Sequence, residues 1–540
     1  MKLPNVIYEN LRFLCVEIDS QLTNMQLFFA NNSPYIAQQI LERVGYAYNL
    51  KTRIHSAVVE RLTVSDLDSQ SILVLRSIEF IANDLERIAD ICHHCINQVD
   101  TNSSPEGVMN KTSISLLKQV QRAVKLIIPA IDHADSQLAI EIGQINYEVE
   151  QKQKKLIKKH IAALKNKQEP EQLTQALFVA YEFKQIGVAL VRICESIISA
   201  KIGQPVSFDR FISLQALVSE IGTQDKSLQV DTVAETRSGS AISGISDDNG
   251  YLGIYKDGQK QKLKDEKNGV KSWHEIYPGL APKILSYKKK GESASILIEH
   301  LPGHTFEQIV LNESTVLLEE SLCELRKTLY SIWSETQTNK GISAKFMQQL
   351  SKRLPEVYKI HPEFKQHDIS LCDHSLPAFE QLIEQAEAIE KQWKPNFSVY
   401  IHGDFNVDNI IYDPIEKRVN FIDLHRSRYL DYVQDISIFM VSNYRLQVLD
   451  SATRQRIMAV ALTMYSVAKQ YADKQNDVSF ELRLALGLAR AFATSTRFIL
   501  DKNLARMMFM LARYLIELVL AVEPKDVSSF RIPLKEIFVE

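Results

Sequence analysis

Through residue 200 the chain is nearly free of glycine and proline, and its apolar residues recur every three or four positions. That spacing lines one side of a helix, so this stretch reads as a helical bundle. The clearest run is Ile78, Ile81, Leu85, Ile88, Cys92, Cys95 and Val99, whose steps alternate three and four, as a seam between packed helices requires. The same steps return at Ala176, Val179, Phe183, Ile186, Leu190, Ile193 and Ile197. Upstream of each run lies a long amphipathic segment, 37–62 and 137–164, with Tyr48 and Tyr147 at nearly the same offset. The pattern is an internal duplication of a three-helix unit, over about 5–100 and 112–200. The turn formers of TNSSPEG (101–107) separate the copies, and a turn at 203–205 closes the second.

After about residue 207 the texture changes to glycine- and serine-rich stretches with short alternating segments. SGSAISGIS (238–246), DDNG (247–250) and YLGIYK (251–256) predict strand, turn and strand. A helix is expected at 261–276, then strands around KILSY (283–287) and ASILIEH (294–300). From residue 312 the pattern is mostly helical, interrupted by SVYIHGD (398–404) and RVNFIDL (418–424). The expected fold class is therefore multidomain. An all-α bundle of two three-helix repeats over 1–205 precedes an α+β bilobal, protein-kinase-like fold, with its small lobe at 207–301 and a mostly helical lobe at 302–540.

Composition narrows the function. The 63 Lys and Arg nearly cancel the 66 Asp and Glu, so no global positive field favours nucleic acid or an anionic membrane. The most apolar long segment, 507–522, is interrupted by Arg513 and Glu517 and is too short for a membrane span, so a cytoplasmic chain is expected. Six scattered cysteines do not form a disulfide framework and are expected as reduced thiols.

The sharpest chemical signal is HGDFNVDN (402–409) followed by IDL (422–424). Phosphoryl transfer from a nucleotide needs a carboxylate to take the proton of an attacking hydroxyl. It also needs an amide and a second carboxylate to hold Mg²⁺ against the phosphates. Asp404, Asn409 and Asp423 supply these groups at the spacing of a kinase catalytic loop and metal strand. With YIHGDFNVDNIIYD (400–413), VNFIDLHRSRYLDYVQDIS (419–437) and ILIEHLPG (296–303), the region 207–525 resembles the aminoglycoside phosphotransferase and choline kinase-like family. The resemblance implies Asp404 as catalytic base, Asn409 and Asp423 as Mg²⁺ ligands and Asp435 as a buried structural carboxylate, with His402 supporting the loop. It also implies Lys256 at the nucleotide phosphates paired with Glu266, and a hinge at Glu299–Leu301 that receives an adenine. Lys260 and Glu275 are the alternatives to Lys256 and Glu266. SGSAISG (238–244) is a loose glycine loop that could cover the phosphates.

Beside the apolar seam of the first repeat runs a polar stripe: Glu79, Asn83, Glu86, Asp90, His93 and Asn97. These residues share one helix face. With LERIAD at 85–90, residues 1–205 resemble the PhoU family of phosphate-uptake regulators, whose acidic faces bind metal. Glu86 and Asp90 are then candidate ligands for a transition metal, with His93 beside them; the alternative is a solvated charged face. The second repeat has Leu177, Tyr181, Lys184, Val188, Val191 and Glu195 at the equivalent positions, so that face is expected to be covered. Cys92 and Cys95 belong to the apolar seam and are expected in the core rather than in a metal or redox site.

Together these readings predict an ATP- and Mg²⁺-dependent phosphotransferase acting on the hydroxyl of a small molecule, joined to a PhoU-like module that regulates or dimerises it. The alternative is a non-catalytic, nucleotide-binding regulator of phosphate uptake or signalling. Expected partners are the acceptor and either a second copy or a phosphate-signalling protein. Between residues 450 and 522, where such enzymes build the acceptor pocket, ten Lys and Arg face six Asp and Glu. That balance points to a neutral or anionic acceptor rather than a polycation.

Overall fold

The computed structural model describes residues 3–43, 45–63, 67–99, 111–165, 170–203, 205–218, 229–235, 241–247, 250–291, 293–365, 368–371, 374–448 and 450–538. The chain divides into two compact units: Met1–Val233 with Ser243–Gly250, and Ala234–Ile242 with Tyr251–Glu540. The expected linker 101–107 and residues 238–240 of the glycine loop lie outside the described residues, as do 248 and 249 of the predicted turn.

The first unit is helical: α1 (Asn5–Asn31), α2 (Pro34–Leu41), α3 (Tyr46–Leu62), α4 (Ser69–Gln98), α5 (Lys111–Asp132), α6 (Ser136–Lys165), α7 (Pro170–Ile202) and α8 (Phe208–Val218). Helix α4 starts where Asp68 accepts the Ser71 N–H at 2.8 Å, a side-chain N-cap. Both predicted seams are buried along their whole length and supply the core. Cys92 and Cys95 lie in it, and burial raises their thiol pKa values, Cys92 to about 12, so they stay protonated. The segment 37–62, expected as one helix, is two. It breaks at Gly45, whose φ of +88° is left-handed, so the first repeat carries an extra short helix. The face expected to be covered in the second repeat is not covered within this unit: Tyr181 is exposed, and Leu177 and Val188 are half-buried.

After α8 the chain continues with β1 (Gln229–Glu235), β2 (Ala241–Asp247), β3 (Gly250–Gln259), α9 (Lys260–Ile276), β4 (Ile284–Lys290) and β5 (Ser293–Ile298). These strands form one sheet in the order β1-β2-β3-β5-β4, with β5 antiparallel to both β3 and β4. Then come β6 (His304–Thr305), α10 (Phe306–Asn312), α11 (Thr315–Thr336), α12 (Phe346–Ile360), β7 (Ile369–Leu371), β8 (His374–Leu376) and α13 (Phe379–Gln392). The chain ends through β9 (Val399–Ile401), β10 (Ile410–Asp413), β11 (Arg418–Phe421), β12 (Arg428–Leu430), α14 (Val433–Tyr444), α15 (Ser451–Lys474), α16 (Phe480–Ser495), α17 (Lys502–Leu520) and α18 (Leu534–Ile537). Thr305 and Gln308 close a reciprocal capping box at the start of α10. Helix α16 is buried on every side, as a central helix must be, and α17 is the amphipathic helix that holds the apolar segment from 507 to 520. A helical unit followed by an α+β region of small sheets is the architecture expected. No described helix is long and apolar enough to cross a membrane.

Two antiparallel pairings place the chemistry-bearing loops. In the β10–β11 pair Ile410 faces Phe421, and Ile422 N–H extends the ladder to Asn409 C=O at 3.0 Å. That brings Asn409 beside Asp423. In the β9–β12 pair Ile401 faces Arg428, which sets 402–404 against 425–427.

Candidate functional site

Gly403 turns the chain between His402 and Asp404 with φ +83°, and a Cβ there would lie 2.4 Å from Arg426 C=O. Only glycine permits both the conformation and the approach. Asp435 on α14 grips the turn: its two oxygens accept His402 N–H and Gly403 N–H, each at 2.8 Å. Burial raises the Asp435 pKa to about 7 even though these N–H groups favour the anion. His402 is also buried, and burial lowers its pKa. Its Nδ1 accepts Asp404 N–H at 3.2 Å, so the ring is neutral and Nε2–H donates to Ile422 C=O at 2.8 Å. The imidazole thus ties the 402–404 turn to the strand that delivers Asp423.

Asp404 is partly exposed. Its Oδ1 accepts from Asn406 Nδ2 at 3.1 Å and pairs with Arg426 Nη1 at 3.1 Å. Asn409 donates Nδ2–H to Asp404 C=O at 2.9 Å, which leaves its Oδ1 as the free end of the amide. Asp423 sits in the left-handed region at φ +61°, a conformation aspartate tolerates and functional sites often hold. Burial opposes its charge, but Lys256 and His425 keep its carboxyl well below the usual range.

The small lobe supplies the opposing groups. Lys256 on β3 is buried, hydrogen-bonded to Glu266 on α9, and 3.8 Å from Asp423. Burial alone would lower its pKa; Glu266 and Asp423 reverse the sign and keep it charged. Of the alternatives, Lys260 donates to Gly291 C=O at 3.2 Å, and Glu275 is exposed. Helix α9 approaches the 423–427 loop closely, since a Cβ on Gly269 would sit 2.1 Å from Leu424 C=O. Trp273 Nε1–H donates to Ser427 Oγ at 2.8 Å, and Ser427 donates to His402 C=O at 3.2 Å. At the hinge, Glu299 N–H is taken by Lys283 C=O at 2.8 Å, whereas Leu301 N–H has no partner among the described residues.

Among the described residues no group of three His, Cys, Asp or Glu side chains could hold an ion. Glu86 is neutralised by Lys51 of α3 at 3.1 Å, Glu79 pairs with His55, Asp90 is exposed, and His93 is buried with its pKa lowered by burial. Along the stripe, then, Glu79 and Glu86 are ion-paired and Asp90 faces solvent. Asp84, one step beside it, pairs with Arg192 of α7.

Sequence reasoning missed Arg353, Arg426 and Arg490, which come to the edge of the 402–404 turn from α12, the loop after Asp423, and α16. The dense HRSR run at 425–428 was the one local signal.

The PhoU domain matches residues 114–197, and the Ecdysteroid kinase-like family matches 311–459, a span that includes Asp404, Asn409 and Asp423. The PhoU match falls on the second repeat rather than on 85–90. No curated protein matches the chain significantly. Among solved structures, the phosphate transport regulatory protein PhoU from Streptococcus pneumoniae is 17% identical over 37% of this chain and 96% of its own, with a TM-score of 0.34. An aminoglycoside-3'-phosphotransferase of type VIII is 15% identical over 52% of this chain and 96% of its own, at 0.34. Choline kinase from Cryptosporidium parvum Iowa II is 11% identical over 61% and 99%, at 0.36.

Proposed function

We propose that the second unit transfers a phosphoryl group from Mg-ATP to the hydroxyl of a small molecule, and that the helical unit is an attached regulatory or dimerisation module. The observation that carries this reading is the convergence of Lys256, Glu266 and Asp423 in one buried cluster, next to the loop that holds Asp404 and Asn409. A scaffold without chemistry has no need of a buried lysine held charged by two carboxylates.

The residues fit a magnesium nucleotide. Asn409 Oδ1 and the Asp423 carboxylate are hard oxygen donors brought together by the Ile422–Asn409 hydrogen bond. Lys256, positioned by Glu266, would meet the phosphates, and the free Leu301 N–H and Glu299 C=O would meet the base. When bound, Mg-ATP supplies the transferable group and the counter-charge on its oxygens. Asp404 would orient the acceptor hydroxyl and take its proton through Oδ2, since Oδ1 is occupied by Asn406 and Arg426. His402 and Asp435 touch no substrate in this scheme; they fix the turn that aims Asp404.

Calorimetric titration with Mg-ATP, paired with an ADP-release assay across hydroxyl metabolites, tests the reading. Asp423→Ala should abolish saturable Mg²⁺-dependent binding. Asp404→Asn should keep binding yet slow transfer by about 10²–10⁴-fold, the usual worth of a general base. Unchanged turnover in both variants, or no binding of ATP or GTP to the parent chain, would remove the assignment.

A further inference from the structure

Directly beside Asp404 lies a cavity of about 300 Å³ lined by four arginines, Arg353, Arg426, Arg428 and Arg490, and by no acidic residue. Gly403 forms part of its wall, so the cavity is continuous with the turn that presents Asp404. Its volume is at the small end of ligand sites, enough for a compact metabolite.

The decisive residue is Arg490. It is 4% exposed, stacks over the Phe346 ring at 5.8 Å, and leaves Nε and Nη2 buried with no hydrogen-bond partner. A guanidinium in that state is costly, because its desolvation is not repaid by a bonded anion. Burial and the neighbouring Arg353 and Arg426 all disfavour its charge, which Asp404 and Asp435 offset only partly and without bonding to it. Arg353 is strained in the same way by burial, Arg426 and Arg497. The contrast on the same helix is informative. Arg483, equally buried, is fully paired with Asp431 and Asp477. On one helix, then, the arginine with a structural place is neutralised by two carboxylates, whereas the arginine at the cavity is bonded to none.

We propose that the cavity binds the anionic group, a phosphate ester or a carboxylate, of the hydroxyl compound that accepts the phosphoryl group. The proposal rests on the phosphotransfer reading above. Arg353 and Arg490 clamp the anion, which holds the hydroxyl against Asp404. The acceptor oxygen then bonds to the γ-phosphorus while the bond from that phosphorus to ADP breaks, ADP keeps the electron pair, and the hydroxyl proton passes to Asp404. A guanidinium fork suits both anions, so the class is set by charge and size.

The test uses the full chain, with glycerol, glycerol 3-phosphate and glycerate as probes. Thermal unfolding followed by tryptophan fluorescence reports binding, and ADP release reports transfer. One or both anions should raise the unfolding midpoint and accept phosphate in preference to glycerol, and comparing the two identifies the phosphate or the carboxylate. Arg490→Met and Arg353→Gln should each weaken anion binding by about 30-fold or more, the usual cost of removing one partner of a buried charge pair. Lys256→Met should leave the anion-induced shift in place, which locates it outside the nucleotide pocket. Anion shifts that are absent, or that survive both arginine variants, would overturn the proposal. Equal loss of transfer to glycerol and to the anions would also overturn it, placing the arginines on the transferred group. Arginine-dependent anion binding without transfer from ATP would leave the cavity assignment standing and overturn the phosphotransfer reading instead.

Discussion

Lys256 and Glu266 are 4% and 2% exposed, so their pairing can be weighed by removing one partner, the other, and both. Glu266→Gln leaves a buried ammonium whose remaining counter-charge is Asp423 at 3.8 Å, which places the loss at the lower end of the range for a broken buried pair, about 3 kcal/mol. Lys256→Met leaves two carboxylates facing each other, with His425 at 3.3 Å still relieving Asp423, for a loss of about 4 kcal/mol. If the two residues acted independently the double variant would lose about 7 kcal/mol, most of a typical domain's stability. Because each change removes the reason for the other's cost, a coupling of about 3 kcal/mol is expected, so the double variant loses only about 4. The chain offers a selective probe: its three tryptophans, Trp273, Trp333 and Trp393, all belong to the second unit. Urea unfolding followed by their fluorescence reports that unit without the bundle. Additive losses, to within about 0.5 kcal/mol, would refute the pairing. Nucleotide binding should stay lost in the double variant, which separates what the lysine does for the fold from what it does for the site.

Two further outcomes follow from the 402–404 turn. Gly403→Ala must place a Cβ 2.4 Å from Arg426 C=O, so the turn shifts; transfer should fall by about 10²-fold with the tryptophan spectrum intact, and unchanged transfer would show that the turn does not aim Asp404. Because burial lowers the His402 pKa, the unfolded chain binds more protons than the native one as pH falls below the ordinary imidazole value of about 6.5. The stability His402 contributes is thus fully present above that value and lost on acidification. The parent-minus-His402→Gln difference in unfolding free energy should therefore grow from pH 5 and level off near neutrality, and a flat difference would contradict a neutral ring.

The parts of this molecule that were legible in its sequence are those whose partners are close along the chain. The helical seams could be read because packing repeats at a fixed step, and 402–409 with 422–424 because one hairpin carries both ends. The break at Gly45 was missed since the hydrophobic pattern runs on through it; only the backbone registers the left-handed residue. For Glu86 the sequence left metal ligand and solvated charge side by side; Lys51, which pairs with it, lies on another helix, and nothing in the local pattern announces that partner. The arginine cavity was invisible for the same reason. Its walls come from α12, the loop after Asp423, and α16, and of its four arginines the charge count over 450–522 included only Arg490. The pairing of Lys256 with Glu266 was implied by the family resemblance, and the structure makes that bond.

Helix α9 has few degrees of freedom. The backbone of Gly269 rests on the Leu424 carbonyl, and Trp273 reaches through Ser427 to the main chain of His402. An outward swing of this helix would have to separate Lys256 from Glu266, empty the notch over Leu424 and cut the relay to the 402–404 turn in one movement. The small lobe is thus latched in its assembled arrangement, and an on–off control acting by helix rotation would work against all three contacts together.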